Sequence, residues 1–138
     1  MAATKSPLMR LGHIRDEIAN LLPLFTGVDY STLASSYSMV RTTERAILII
    51  AEAATALPAE LTARYPKIEW HAIRGIGSIL RHEYERVETE VLWRVVHENL
   101  PALAAAIERM IRDLKGLSAL GHFRTRAQSG CAQREICI

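Results

Sequence analysis

The sequence predicts an all-α protein, an antiparallel bundle of about five helices. Three observations carry that expectation. Of 138 residues, 49% are hydrophobic and 6% aromatic, and Ala, Leu, Ile, Arg and Glu, good helix formers, dominate over alternating β-branched runs. Apolar residues recur at spacings of three and four, the helical period. Breakers such as Gly27, Pro58 and Gly116 fall where the periodic segments end. A chain of this length suits one domain with a sizeable core.

The elements follow in order. Ser6-Pro7 opens the first helix, an N-cap followed by proline in the first turn. Leu11, Ile14, Ile18, Leu21, Leu22 and Phe25 carry it through residues 7–24, and Thr26-Gly27-Val28-Asp29 breaks it. A long second helix is expected from Ser31 to Leu57, with Leu33, Tyr37, Val40, Ile47, Ile50, Ala54 and Leu57 on one side. Pro58 ends it, and the connector holds a possible helical turn, Ala59–Arg64. A third helix runs from about Glu69 to Arg81 or slightly beyond. Glu88 or Thr89 begins a fourth; Asn99 and Pro101 mark the start of a fifth, which ends at Lys115-Gly116. The helical domain is thus residues 1–116. Residues 117–138 read as a loose polar tail to which no function is assigned.

Several function classes are set aside. A net charge of +2 does not announce a nucleic-acid protein, and no apolar run approaches the roughly 20 residues of a membrane span. The N-terminus lacks a signal-peptide core. The two cysteines, Cys131 and Cys137, form neither a CxxC nor a disulfide framework. A cytoplasmic location with no membrane association is the expectation.

Residues 74–87, RGIGSILRHEYERV, concentrate the unusual chemistry. Gly75-Ile76-Gly77 is not a dinucleotide fingerprint: helix-like residues precede it and Leu80 occupies the third glycine position. His82-Glu83 does not open a zinc helix, because Arg86 stands where HExxH needs its second histidine, and His97-Glu98 fails likewise. No metal and no cofactor are expected. On a helical wheel, Ile73, Ile76, Ile79, Leu80 and Tyr84 cover one broad side. His71, Arg74, Ser78, Arg81, His82 and Glu85 form the opposite stripe, with Gly75 and Gly77 flanking it. Two glycines inside a helix cost about 1 kcal/mol each relative to alanine. Their use is the close approach of another helix or of a ligand backbone.

A histidine beside arginines, with a hydroxyl one turn away, suits cleavage of a phosphodiester. RNA is cut without a metal when a base removes the 2′-OH proton and an acid protonates the leaving oxygen, and imidazole can do either. Arginine stabilises the extra charge on phosphorus. The same residues are also what a solvated helix face contains. Trp70 and Trp93 read as core, and His71, about 16 Å from His82 along the axis, as a bystander.

Residues 41–111 add a resemblance. RTTERAILIIAEAATALP, IEWHAIRG and HEYERVETEVLWRVVHENLPALAAAIERMI, in that order, are similar to the HEPN superfamily and to its HepT-like toxins. The first piece resembles the family's long helix with an internal glutamate, here Glu52; the third carries its H-x-Y element, His82-Glu83-Tyr84. The resemblance implies a symmetric homodimer with an Arg–His motif from each protomer at a shared cleft. It also implies metal-independent endoribonuclease activity on an RNA substrate. Its partner would be a cognate MntA-like nucleotidyltransferase antitoxin that silences the toxin by AMPylation of Tyr84. An added AMP brings negative charge and bulk beside the histidine.

One position departs from the family pattern. Aligned on His82, the motif arginine falls on Gly77 and the following polar residue on Ser78. Arg81 is the nearest same-chain substitute. Arg74 lies about 12 Å away along the axis, and would serve His82 only across a two-fold dimer. The catalytic candidates are therefore His82, Ser78, Arg81 and Arg74, with Glu52 in support and Tyr84 as the modification site. The competing expectation is a weakened HEPN dimer that binds its antitoxin or RNA.

Overall fold

A computed structural model describes residues 6–82 and 88–129, with side chains described as far as Leu117. Its order is α1 (Pro7–Leu21), a 3₁₀ turn (Leu22–Phe25), α2 (Tyr30–Ser35), α3 (Tyr37–Thr55), α4 (Ala59–Thr62), α5 (Trp70–His82), α6 (Thr89–Arg94), a π turn (Val95–Asn99) and α7 (Leu100–Ser129). The described residues contain helices and no strand, as composition and periodicity predict.

Ser6 caps α1 by accepting a hydrogen bond from the Met9 amide at 3.1 Å. Leu11, Ile14, Ile18 and Leu21 turn inward. The expected break after it is a glycine turn: Gly27 has φ 73°, the left-handed conformation that only glycine adopts without strain.

The long second helix is in fact two. Ser36 leaves the helical conformation, at φ −105° and ψ 107°, and its hydroxyl accepts from the Met39 amide to start α3. A serine that satisfies an orphan amide offers the backbone an alternative to continuing the helix. The break also removes Tyr37 from the apolar side where the wheel set it: Tyr37 is 76% exposed, whereas Leu33 is fully buried.

The boundary before the last helix is softer than expected. Pro101 removes one amide from the ladder and its ring crowds the carbonyl four residues back. The chain absorbs this with the wide π turn at Val95–Asn99, so α6, the turn and α7 follow in helical backbone. Gly116 does not end α7, which continues to Ser129. A terminating glycine needs a positive φ, and Gly27 is the one described residue that has it.

The core is built where α1 packs on α3 and α7, and α3 on α5. Leu100, Leu103, Ile107 and Met110 of α7 are essentially unexposed, matching Leu11 and Ile14 of α1. Contacts of Ala51 with Gly77 and of Ile47 with Leu80 run α5 back along α3 in the opposite direction. Trp70 is buried as expected, while Trp93 is half-buried beside Phe25, Tyr30 and His97. Tyr65, in the connector before α5, donates to the Asp113 carboxylate and ties that connector to α7.

Candidate active site

The site stands on α5, and its burial pattern explains which side chains are free. Trp70, Ile73, Gly77 and Leu80 turn inward, at spacings of three and four. The wheel had Gly77 on the flank and Ile79 in the core. Instead Gly77 is buried at the centre of the packed face, and Ile76 and Ile79 are half-buried. A Cβ on Gly77 would lie 2.4 Å from the Ala51 Cβ, whereas one on Gly75 would meet nothing within 4 Å. Gly77 therefore serves close helix approach, as expected for one of the pair, and Gly75 does not.

The opposite face carries the chemistry. Ser78, Arg81 and His82 are exposed at the C-terminal end of α5. Ser78 and His82 are four residues apart and so one turn apart on one side of the helix. The Arg81 Nη1 donates to Glu52 Oε2 at 3.2 Å, with the side chains 38% and 50% exposed. An ion pair that wet adds little stability. Its geometric effect is larger: Glu52, from α3, tethers the guanidinium of the residue preceding His82 and occupies one of its five N–H donors. The sequence candidates Ser78, Arg81 and His82 thus lie at the C-terminal end of α5, and the Arg81 side chain reaches back to Glu52 of α3.

Arg74 is elsewhere. It lies two turns before His82, half-buried, with its Nε shielded from solvent and lacking a hydrogen-bond partner among the described residues. It lines a cleft of about 620 Å³ with Thr62, Trp70 and His71. Among the described residues no hydrogen bond or ion pair links it to His82. Tyr84, the predicted modification site, and its neighbours Glu83 and Glu85 lie outside the described residues.

The resolved electrostatic perturbations lie off this face. Asp29 is held below the ordinary carboxylate value of 3.8 by hydrogen bonds from the Thr32 side chain and amide. Burial, then the bond to Asp113, raises the Tyr65 phenol above its ordinary 10.0. Among the described residues no three His, Cys, Asp or Glu side chains are grouped to hold a metal ion, and no helix is long and apolar enough to cross a membrane.

Comparison with known proteins places this geometry. Residues 14–110 match the family described as ribonuclease HepT-like, a span that runs from the middle of α1 into the first part of α7 and includes all of α5. The chain belongs to this family. A relative from Caldanaerobacter subterraneus, named "Putative RNase", is 27% identical over 111 residues, covering 80% of this chain and 99% of its own. Another "Putative RNase", from Methanocaldococcus jannaschii, is 28% identical over 93 residues, 67% of this chain and 85% of its own. A Thermococcus cleftensis protein named "Probable ribonuclease HepT" is 33% identical over 66 residues, 48% of this chain and 60% of its own. No solved structure matches the chain. The HepT-like assignment supports the ribonuclease class and the all-α bundle together. In this HepT-like chain Gly77 packs so closely on Ala51 that a side chain there would require the two helices to shift.

Proposed function

We propose that this HepT-like protein is an endoribonuclease that cuts RNA without a metal ion, as the toxin of a toxin–antitoxin pair. The observation that carries this is the Glu52–Arg81 ion pair, which tethers a cation on the residue next in sequence to the exposed His82. In the reaction, an imidazole takes the proton from a ribose 2′-OH. The 2′-oxygen attacks phosphorus and the bond to the 5′-oxygen breaks. That leaving oxygen takes a proton, and a 2′,3′-cyclic phosphate remains. One His82 supplies one proton transfer, and in a symmetric homodimer the second copy supplies the other. The Glu52 bond engages one of the five N–H donors of Arg81, and the others are offered to the phosphoryl oxygens, where charge grows in the transition state. Ser78 positions the substrate by its hydroxyl one turn away.

The H-x-Y match supports Tyr84 as the acceptor of AMP from an MntA-like nucleotidyltransferase antitoxin, in the cytoplasm where such a toxin meets RNA. A second reading has its own observation: Gly77 is buried against Ala51, so the motif arginine is lost and its place is closed. Loss of one transition-state donor commonly lowers rate by about a hundredfold or more. A HepT-like dimer so weakened would act by binding its antitoxin or RNA.

Cleavage of an end-labelled RNA in EDTA, by the wild type and by His82→Ala, tests the choice. Cutting that vanishes in the variant supports the ribonuclease. Cutting unchanged in the variant refutes the role of His82, and no cutting by the wild type favours the binding reading.

A further inference from the structure

Arg74 is a cation partly withdrawn from water, with no counter-charge among the described residues. Its Nε is buried and unpaired among the described residues, and no described carboxylate forms an ion pair with the side chain. Removing a guanidinium from water is costly unless an anion or hydrogen-bond acceptor replaces the water. The shallow, open cleft it lines, about 620 Å³, is also lined by the exposed His71, by Trp70 and by Thr62, whose hydroxyl donates to the Ala59 carbonyl; among the described residues Glu69 is the one carboxylate on its wall. His71 precedes Arg74 by three residues, so both stand on the same side of α5, one turn apart.

We propose that this cleft is a phosphate subsite for the RNA strand, separate from the cleavage centre, in which Arg74 binds a backbone phosphate and His71 flanks it. The inference rests on the ribonuclease reading above and assigns Arg74 to substrate binding in place of transition-state stabilisation. Arg74, Ser78 and His82 follow at intervals of four along one helix. The subsite is therefore about 12 Å from His82 along the axis. That spans three to four nucleotides of a stacked strand, at about 3.4 Å each, and fewer of an extended one. A strand laid along α5 reaches Arg74 and His82 together only when it is longer than the gap. The planar fork of arginine suits a phosphate better than the point charge of lysine.

The test is fluorescence anisotropy with dye-labelled single-stranded RNA, a 12-mer and a dinucleotide, on full-length His82→Ala protein so that the RNA stays intact. Adding Arg74→Gln is expected to weaken the 12-mer about tenfold. It should lower the slope of log affinity against log salt by about 0.7, the signature of one lost phosphate contact on a single strand. The dinucleotide, too short to bridge the gap, should bind both proteins alike. Arg74→Lys should recover part of the loss.

Equal 12-mer affinity and salt slope for the two proteins, or equal losses for both RNAs, would overturn the subsite. If Arg74→Gln does not fold, as judged by circular dichroism, the exposed His71→Gln change reads the same cleft. Weaker 12-mer binding with the dinucleotide spared supports the subsite, and unchanged 12-mer binding refutes it. The two proposals fail separately. Arg74-dependent binding by a wild type that cuts nothing in EDTA refutes the nuclease alone. His82-dependent cutting with kcat/KM unmoved by Arg74→Gln refutes the subsite alone.

Discussion

Replacing Gly77 by alanine sets one methyl group against another where α5 crosses α3. The new Cβ would stand 2.4 Å from the Ala51 Cβ, about 1 Å inside the roughly 3.5 Å at which two carbon atoms touch. Neither partner is a flexible side-chain tip. Both are the first atoms of side chains on packed helices, and Ala51 is 1% exposed. The helices must therefore separate, and overpacking of this kind costs about 1–3 kcal/mol. Removing a glycine from a helix interior returns about 1 kcal/mol. The expected net loss is about 0–2 kcal/mol, a fall in Tm of up to roughly 8 °C for a domain of this size.

Thermal unfolding followed by circular dichroism measures the effect, and Ala51→Gly completes a double-mutant cycle. Alone, Ala51→Gly should cost about 1 kcal/mol of helix propensity. Combined with Gly77→Ala it moves the glycine to the other helix and relieves the clash, so a favourable coupling of about 1–3 kcal/mol is expected. A Gly77→Ala protein more stable than wild type, with no coupling to position 51, would show that the helices do not meet there. Gly77→Arg brings the same first atom with a longer chain behind it. It should destabilise further and leave cleavage unimproved.

Three other outcomes follow from particular contacts. Glu52→Gln should change stability by less than about 1 kcal/mol, because the pair is wet; if Glu52 positions Arg81, kcat for RNA cleavage should drop about tenfold with KM little changed, and an unchanged kcat would count against it. Tyr65→Phe removes the bond to Asp113 and should cost about 1 kcal/mol in urea unfolding. Because the folded phenol pKa is raised by burial and then by Asp113, its contribution is complete below the unfolded value of about 10 and is lost as pH rises through the folded one. Asp29 runs the other way. Its pKa is depressed by the Thr32 bonds, so the cap on α2 is complete above 3.8 and is lost as pH falls through the lower folded value. The Thr32 amide resonance should report that transition, and Asp29→Asn should abolish it.

Much of the fold could be read from local chemistry. Ser6-Pro7 opens α1 where an orphan amide needs a cap, and the apolar spacing in residues 70–81 marks α5 almost to its ends. The misreadings occurred where two local rules competed. Ser36 sits inside a helical pattern and caps a new helix instead. Pro101 suggests a break, yet one wide turn absorbs it. Gly116 resembles a stop, but glycine ends a helix only when its φ turns positive. In each case the sequence permits both outcomes, and neighbouring packing selects one.

The helical class, the HepT-like resemblance and the exposed chemistry of Ser78, Arg81 and His82 are legible in the order of the residues. Those features depend on residue identity and on spacing along one helix. What Gly77 is for, which carboxylate meets Arg81, and that Arg74 Nε has no partner among the described residues emerge only from how the helices pack. The deciding neighbours are Ala51 and Glu52 of α3 and Thr62 of α4. Such pairings depend on how closely and at what register the helices pack, and helical periodicity records only which face turns inward.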